Sequence, residues 1–296
     1  MKNLLSPLRY PGGKSVLGKF LADVILVNNL QGGTYYELYC GGAGAALYLL
    51  DNRIVNNIVI NDADYRIYAF WRSVLNNTDQ FIQQIETCVL TVPEWRYYKA
   101  IYDNATPNSD TFEVGYATFY LNRTSRSGIL HNSGPIGGYQ QVGNYLIDAR
   151  FYKQTLISRI AAIAERVNSI QIHNDSAENF IQQFAQLENN NNAFFYLDPP
   201  YFHKGKKLYL NNYSPNEHLQ LANLIRLHPG INWLISYDNA VEIRDIYQPF
   251  RMASFNLRYS LQNKRIGSEL MVFSDTLIIP PVDEDQLVPN NLVFLN

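Results

Sequence analysis

The stretch from residue 34 to residue 62 follows the order strand, glycine-rich turn, helix, strand and acidic residue. A β-like run at residues 34–39 leads into Gly41-Gly42-Ala43-Gly44, and a helical pattern continues through Leu50. A second apolar strand at residues 57–61 then ends at Asp62. A helix between two such strands is typical of the crossover connection in a parallel sheet. The pattern therefore predicts an open, mostly parallel α/β fold.

The middle of the chain has a different pattern, because helical periodicity replaces the alternation of strands and helices. We expect a separate helical lobe over residues 66–165, built around a Gly/Ser-rich loop at 125–143. The sheet domain would then comprise residues 1–65 and 166–296. Further strands are predicted at 169–173, 193–197 and 231–236, with β structure over 252–279. Helices are predicted at 15–30, 66–86, 94–103, 112–121, 151–167, 176–187, 216–228 and 240–248.

Bulk composition excludes several classes of protein. With 296 residues, 47% hydrophobic and 17% charged, the chain has the composition of a globular protein with a substantial core. A net charge of −2 means that any nucleic-acid surface would have to come from a local concentration of cations. The two cysteines lack the spacing of a zinc site, so we expect no metal and a reducing compartment. We also expect no signal peptide and no membrane contact.

The apolar strand at 193–197 ends in Asp198-Pro199-Pro200-Tyr201. Neither proline has a backbone N–H, so the strand is followed by a rigid turn that offers only hydrogen-bond acceptors. Such a turn suits an exocyclic amine, because accepting both of its hydrogens would free the nitrogen lone pair for attack on a methyl sulfonium. Tyr201 could stack on the nucleic-acid base that carries this amine. The alternative is an Asp that caps a turn while the prolines merely end the strand.

These four residues belong to a larger set of motifs in a particular order. The set includes Leu8-Arg9-Tyr10-Pro11-Gly12-Gly13-Lys14, Glu37-Leu38-Tyr39-Cys40-Gly41-Gly42-Ala43-Gly44, Asn61-Asp62-Ala63-Asp64 and Leu121-Asn122-Arg123 with Ser127-Gly128. In this order and spacing the chain resembles the Dam-like family of DNA adenine-N6 methyltransferases. The resemblance implies a Rossmann-like, S-adenosylmethionine-dependent methyltransferase sheet with an inserted helical target-recognition lobe. It also implies catalysis at Asp198, Pro199, Pro200 and Tyr201.

The glycine turn and the acid after the second strand are candidates for cofactor binding. Gly41 and Gly42 would allow a ligand to approach the backbone closely, and Asp62 could bind ribose hydroxyls unless it is a helix N-cap. The sequence Gly-Gly-Lys-Ser at 12–15 is not a P-loop, because Leu8 stands where that motif needs its first glycine. The resemblance adds Tyr10, Lys14, Glu37, Asp175 and Asp198 to the residues expected near S-adenosylmethionine. For Glu37 and Asp175 a structural role is an open alternative.

The loop at 122–143 is the candidate DNA-reading element. The residues expected to contact double-stranded DNA there are Asn122, Arg123, Arg126 and Ser127. A second basic cluster, Lys204, Lys206 and Lys207, follows Tyr201 and could bind phosphates beside an extruded base, or could be a solvated loop. The residues after Arg123 depart from those of the best-known relatives, so a GATC target does not follow.

Other functions are compatible with part of these patterns. Methylation of the N4 amine of cytosine, of RNA or of a protein amide would use similar chemistry, and a DNA-binding module that has lost catalysis is a rival from another class. A cytosine-C5 enzyme is disfavoured because neither cysteine follows a proline. The resemblance implies a cytoplasmic enzyme encoded by a bacterium or a phage, with a cognate restriction endonuclease as a conceivable partner.

Overall fold

The computed structural model describes residues 5–9, 14–187, 192–203, 213–259, 265–281 and 290–295. Eight strands of these residues form one sheet in the order β3-β2-β1-β4-β5-β7-β6-β8. The strands are β1 Thr34–Glu37, β2 Asn57–Asn61, β3 Ile170–His173, β4 Ala193–Leu197, β5 Asn232–Asp238, β6 Arg251–Tyr259, β7 Arg265–Phe273 and β8 Asn290–Phe294.

Ten α-helices connect or cover these strands in the described part of the chain. They are α1 Gly18–Val27, α2 Gly44–Asp51, α3 Tyr65–Asn76, α4 Thr78–Thr87, α5 Val92–Asp103, α6 Thr111–Thr124, α7 Lys153–Ala164, α8 Ala177–Leu187, α9 Pro215–Arg226 and α10 Val241–Ile246. Shorter 3-10 turns span Lys14–Leu17, Arg126–Gly128 and Val167–Ser169.

The five neighbouring strands β3-β2-β1-β4-β5 run parallel, and β7 is antiparallel to both β5 and β6. From β1 the chain continues outward to β2 and β3, whereas β4 pairs with the other edge of β1. The sheet order therefore reverses between β1 and β4. In open α/β sheets, ligands bind outside the carboxyl ends of the strands at such a switch point. The segments after Glu37 and Leu197 meet at this point.

Each face of the sheet packs into its own hydrophobic cluster, as the two-residue alternation of side chains requires. Tyr35 and Phe194 lie in one cluster together with buried residues of α1 to α7. Tyr36 and Phe195 lie in the other, with buried residues of α8, α9 and α10. The helices of residues 66–165 thus share a core with one sheet face. Their division into a separate lobe remains a prediction.

Several predicted elements match the observed ones. Strands β2 and β4 have the predicted bounds, and the α/β class is confirmed. The single helix predicted over residues 66–86 is two helices, because the backbone leaves the helical region at Asn77. Strand β8 was not predicted, since residues 290–294 follow a Pro-containing segment; it pairs with β6 at the sheet edge.

Candidate active site

Asp198 lies directly after β4, where its carboxylate is held on one side only. The side chain is 15% exposed. Oδ1 accepts a 2.7 Å hydrogen bond from Ser236 Oγ and lies 3.1 Å from Lys14 Nζ. Ser236 is on the neighbouring β5 and also lies 2.7 Å from the Tyr196 hydroxyl. Both polar contacts described for Asp198 fall on Oδ1, and they fix the orientation of the carboxylate.

Lys14, Tyr201 and Glu269 complete a buried group around Asp198. Lys14 Nζ donates a 2.7 Å hydrogen bond to the Tyr201 hydroxyl, which donates a 2.6 Å bond to Glu269 Oε1. The ammonium also lies 3.9 Å from Glu269 Oε2 and 5.0 Å from the centre of the Tyr201 ring. Lys14 is 4% exposed and Glu269 is fully buried. One cation is therefore shared between two carboxylates and an aromatic ring.

Burial and charge act in opposite directions on Asp198. Desolvation raises the pKa of this carboxyl, whereas the Lys14 ammonium and the Ser236 hydroxyl lower it. The net direction is upward. The Lys14 ammonium therefore favours the ionised form of Asp198, in which both oxygens can accept hydrogen bonds.

The chain that leaves the motif is fastened by Asp238 at the end of β5. Its Oδ1 accepts from the backbone N–H of Phe202 at 2.8 Å, and its Oδ2 accepts from that of His203 at 3.0 Å. In the sheet, Asp238 is the register partner of Glu269 on β7. Strands β5 and β7, which follow the motif in the chain, therefore fix the Tyr201 side chain and the backbone after it.

The glycine turn after β1 is tied to the acid after β2. Asp62 Oδ2 accepts from the Gly41 N–H at 2.9 Å, and Oδ1 accepts from the Asp64 N–H at 3.0 Å. Trp71 of α3 donates from Nε1 to the Gly41 carbonyl at 2.8 Å. Asp64, and not Asp62, is the N-cap of α3, since its side chain accepts from the Arg66 N–H. The capping alternative for Asp62 is therefore wrong.

Glu37 has a structural partner at the same edge of the sheet. Its Oε2 accepts from the Ala46 N–H at 3.0 Å, in the first turn of α2. This bond satisfies one of the N–H groups that a helix start leaves without an intrahelical partner. Burial nevertheless raises the pKa of Glu37 to about 8, and raises that of Asp62 from 3.8 to about 7. One buried and one half-buried carboxyl group, Glu37 and Asp62, thus flank the glycine turn.

Asp175 is positioned through its backbone. The Asp175 N–H donates to Asn61 Oδ1 at 2.9 Å, and its carbonyl accepts from Asn61 Nδ2 at 3.0 Å. Asn61 also donates to the Leu38 carbonyl, so the ends of β1, β2 and β3 are joined by one buried amide. Capping at the start of α8 comes instead from Ser176, whose Oγ accepts from the Asn179 N–H.

The profile of the D12 class N6 adenine-specific DNA methyltransferases matches residues 10–261, which is most of the chain. The chain belongs to this D12 class. Among solved structures, the fold is similar to that of a protein of Pyrococcus horikoshii provisionally described as an RNA methyltransferase. The identity is 8%, the match covers 86% of this chain and 81% of that one, and the TM-score is 0.38. No curated protein matches the chain.

Membership of the class makes the protein an enzyme of adenine-specific DNA methylation and confirms the resemblance drawn from the motifs. Among the described residues, no three His, Cys, Asp or Glu side chains gather into a group that could hold a metal ion. None of the helices in the described ranges is long and apolar enough to cross a membrane.

The D12 enzyme has an ordered loop after α6, where DNA contacts were predicted. Arg126 is exposed, and its backbone N–H donates to the Gly134 carbonyl at 3.1 Å. Ser125 forms a bridge with Pro135, so the loop folds back as a hairpin-like unit. Ser127 is half-buried with a positive φ of 57°. Arg126 is therefore the predicted DNA residue that this loop presents most openly.

Asn122 and Arg123 lie inside the enzyme. Asn122 is fully buried; its Oδ1 accepts from the Arg9 N–H at 2.7 Å, and its Nδ2 donates to the carbonyls of Arg9 and Gly128. Gly128 has a φ of +71°, and an added Cβ would lie 2.4 Å from the Arg9 carbonyl oxygen, so only glycine fits there. Direct contact of Asn122 with DNA is not supported by this placement; the amide joins the N-terminal segment to the loop.

The remaining predicted residues of the methyltransferase lie outside the described part of the chain. They are Tyr10, Lys204, Lys206 and Lys207. Conversely, the site includes Ser236, Asp238 and Glu269, which were not predicted from the sequence. A usable signal was present for all three, since each is a polar residue next to a run of apolar strand residues. Buried polar groups of this kind need partners and often belong to a site.

Proposed function

We propose that this D12 enzyme transfers the methyl group of S-adenosylmethionine to N6 of an adenine rotated out of duplex DNA. The observation that carries the proposal is the one-sided hold on Asp198. Ser236 and Lys14 contact Oδ1, which leaves Oδ2 and the carbonyl of Pro199 as acceptors for the two amine hydrogens. The turn stands beside the glycine-lined switch point of the sheet, where a methyl donor would bind.

The residues at this edge suit a cofactor with cationic and hydroxyl groups. Glu37 and Asp62 are carboxyl groups whose pKa values are raised by burial, to about 8 and about 7. An ammonium, a sulfonium or ribose hydroxyls would each favour the charged form of these groups. We assign Gly41, Gly42 and Asp62 to the nucleoside part and Glu37 with Lys14 to the methionine end. Asp175 and Tyr10 are the proposed contacts of the cofactor adenine.

When bound, the cofactor supplies an electrophilic methyl group. Asp198 and the Pro199 carbonyl would orient the amine so that its lone pair turns away from the ring and toward the methyl group that the cofactor would supply. The amine then releases one proton to water. The Tyr201 hydroxyl accepts a hydrogen bond from Lys14 and donates one to Glu269. Its ring is therefore fixed and can support the target base in one orientation.

DNA would approach from the side of the loop after α6. Arg126 is exposed there and would bind DNA together with Ser127, while Lys204, Lys206 and Lys207 would bind phosphates near the extruded base. Residues 66–165 would form the target-recognition lobe on the catalytic domain of residues 1–65 and 166–296. A bacterial or phage enzyme would meet its DNA in the cytoplasm. A restriction endonuclease with the same target remains a predicted partner.

The rival substrates also have an exocyclic amine, but on a different base or in a different nucleic acid. N4-methylation of cytosine would use the same acceptor turn, and RNA would place the same base in a different backbone. The D12 class favours adenine in DNA over both. A catalytically inactive DNA-binding module is disfavoured by the complete group of Asp198, Lys14, Tyr201 and Glu269 around one ammonium.

Transfer of a labelled methyl group tests the proposal. Purified protein would be incubated with labelled S-adenosylmethionine and unmethylated DNA, RNA or protein, and the DNA would be digested to nucleosides. We expect the label in N6-methyladenine from DNA alone. Label in N4-methylcytosine, or in RNA or protein without DNA, would overturn the assignment. Mapping the modified adenines would give the target sequence and show whether a restriction site is protected.

A further inference from the structure

Three arginines from separate parts of the chain converge on the N-terminal segment Ser6–Arg9. Arg123, at the end of α6, donates from Nε to the Pro7 carbonyl at 2.7 Å. Arg159, on α7, donates from Nη1 to the Ser6 carbonyl at 2.8 Å. Arg9 itself is fixed through its backbone, which exchanges two hydrogen bonds with the amide of Asn122. We call Arg9, Arg123 and Arg159 the arginine cluster.

The cluster has an excess of positive charge that no acid of the described chain balances. The ion pairs among the described residues do not involve any of the three guanidinium groups. Arg9 Nη1 and Arg159 Nε are buried and have no hydrogen-bond acceptor among the described residues. Burial, together with the charges of Arg159 and Arg9, lowers the pKa of Arg123 to about 9. Unpaired buried charges of like sign are costly, so the fold keeps them at the expense of stability.

Anchoring of the N-terminal segment does not account for this charge. Each of Arg123 and Arg159 has one nitrogen bonded to a backbone carbonyl, which a neutral donor could also satisfy. The Arg9 guanidinium takes no part in the anchoring, because the backbone of Arg9 makes those bonds. The guanidinium N–H groups that the anchoring does not use are hydrogen-bond donors. An anion with several oxygens could accept from all three arginines.

We propose that Arg9, Arg123 and Arg159 bind one backbone phosphate of the DNA substrate, an inference that rests on the proposed function. The location favours a DNA phosphate over a cofactor group. Arg9 is joined through Asn122 to Gly128 of the predicted DNA loop, and it precedes Lys14 of the active site by five residues. Burial and then the charge of the exposed Arg150 lower the pKa of Arg9, so Arg150 lies close enough to add positive potential at the cluster. Guanidinium groups bind phosphate oxygens in pairs, without regard to base sequence.

DNA affinity as a function of salt tests this assignment with Arg159→Gln, whose amide can still donate to the Ser6 carbonyl. We expect weaker binding of target and non-target DNA by the same factor, about tenfold, and a salt slope of log K reduced by about 1. Cofactor affinity and sequence preference should not change. Arg159→Lys retains the charge and should keep the slope while losing part of the affinity. Arg53→Gln is the matched control. Arg53 is exposed in the turn before β2, at the amino ends of the parallel strands, whereas the active site lies at their carboxyl ends.

The outcomes separate this inference from the proposed function. If wild-type protein methylates adenine in DNA but Arg159→Gln has the wild-type slope and affinity, the phosphate site is wrong and the enzyme assignment stands. A loss confined to target DNA would also contradict the phosphate site, because it would indicate base readout. If the wild-type protein neither binds nor methylates DNA, both fail. Thermal unfolding of each variant identifies a loss caused by misfolding, and Arg9→Gln, in which the backbone bonds to Asn122 are retained, then gives the decisive slope.

Discussion

The Tyr201 hydroxyl donates a 2.6 Å hydrogen bond to Oε1 of Glu269, a fully buried residue from a strand two positions away in the sheet. The same hydroxyl accepts from Lys14, and Lys14 contacts Asp198. The orientation of the Tyr201 ring and the ionisation of Asp198 are therefore coupled through one ammonium. Glu269 is part of this coupling although it lies outside every motif recognised in the sequence.

Replacement of Glu269 should reduce the rate more than it reduces binding. In Glu269→Ala, Tyr201 loses its acceptor and Lys14 loses a nearby charge, so we expect kcat to fall by roughly 10- to 100-fold, as for loss of a charged hydrogen bond. Glu269→Gln keeps an acceptor for Tyr201 and should lose less. Single-turnover methylation would measure the loss of rate, and cofactor affinity would measure any loss of binding. The neighbouring exposed Ser268, changed to Ala, is the control. An unchanged kcat in Glu269→Ala would remove the residue from the account.

Stability of the cofactor-free protein should fall as pH rises through neutrality. A carboxyl group whose pKa is higher in the folded chain binds its proton more tightly when folded, so its contribution is lost as pH rises toward the folded value. For Asp62 that range is 3.8 to about 7, and for Glu37 it is 4.5 to about 8. We expect a lower Tm at about pH 8 than at about pH 6. Asp62→Asn should flatten the curve, whereas Asn at the exposed Asp79 should not.

Cofactor binding should oppose this pH dependence. Cationic or hydroxyl groups that pair with Asp62 and Glu37 favour the ionised carboxylates, so the gain in Tm on addition of S-adenosylmethionine should increase between about pH 6 and pH 8. Thermal melts with and without cofactor measure the gain. A gain that is constant over this range, or that decreases, would indicate that neither carboxyl group meets the cofactor in its charged form.

Arg126 should affect DNA and not the cofactor. It is exposed at the start of the hairpin-like loop, and a Cβ built on Gly138 would lie only 3.3 Å from its Nη2, so its guanidinium is next to the return arm of that loop. Arg126→Ala should weaken DNA binding or change the preferred site by about 1–3 kcal/mol, the range for one base-reading pair. Exposed Arg72 on α3, changed to Ala, provides a comparison. Wild-type affinity and site preference in Arg126→Ala would exclude the loop from recognition.

Much of the fold could be predicted because its signals are local. The strand at 193–197 is a continuous apolar run that ends at Asp198 and two prolines, and its bounds follow from that pattern. Strand β8 lacked such a signal, since its pairing with β6 depends on the tertiary fold alone. The same limit explains Glu269, which reaches Tyr201 only because β7 pairs antiparallel with β5.

Burial was the other quantity that the sequence concealed. Asn122 was expected to face DNA because side-chain amides commonly do, yet it is fully buried and supports Arg9. A side-chain amide makes the same hydrogen bonds to backbone groups as to DNA, so residue type alone does not separate the two roles. The structure separates them because it shows which donors are already bonded.

The central claim is that Asp198 acts as an acceptor for an adenine amine, and Asp198→Asn tests it most directly. Asn keeps the size of the side chain but removes the charge and replaces one acceptor oxygen by a donor. Cofactor affinity and single-turnover methylation of DNA would be measured on the same preparation, beside wild type. We predict a loss of at least roughly 100-fold in the methylation rate, with cofactor affinity changed only slightly. A near wild-type rate of N6-methyladenine formation by Asp198→Asn would contradict the account.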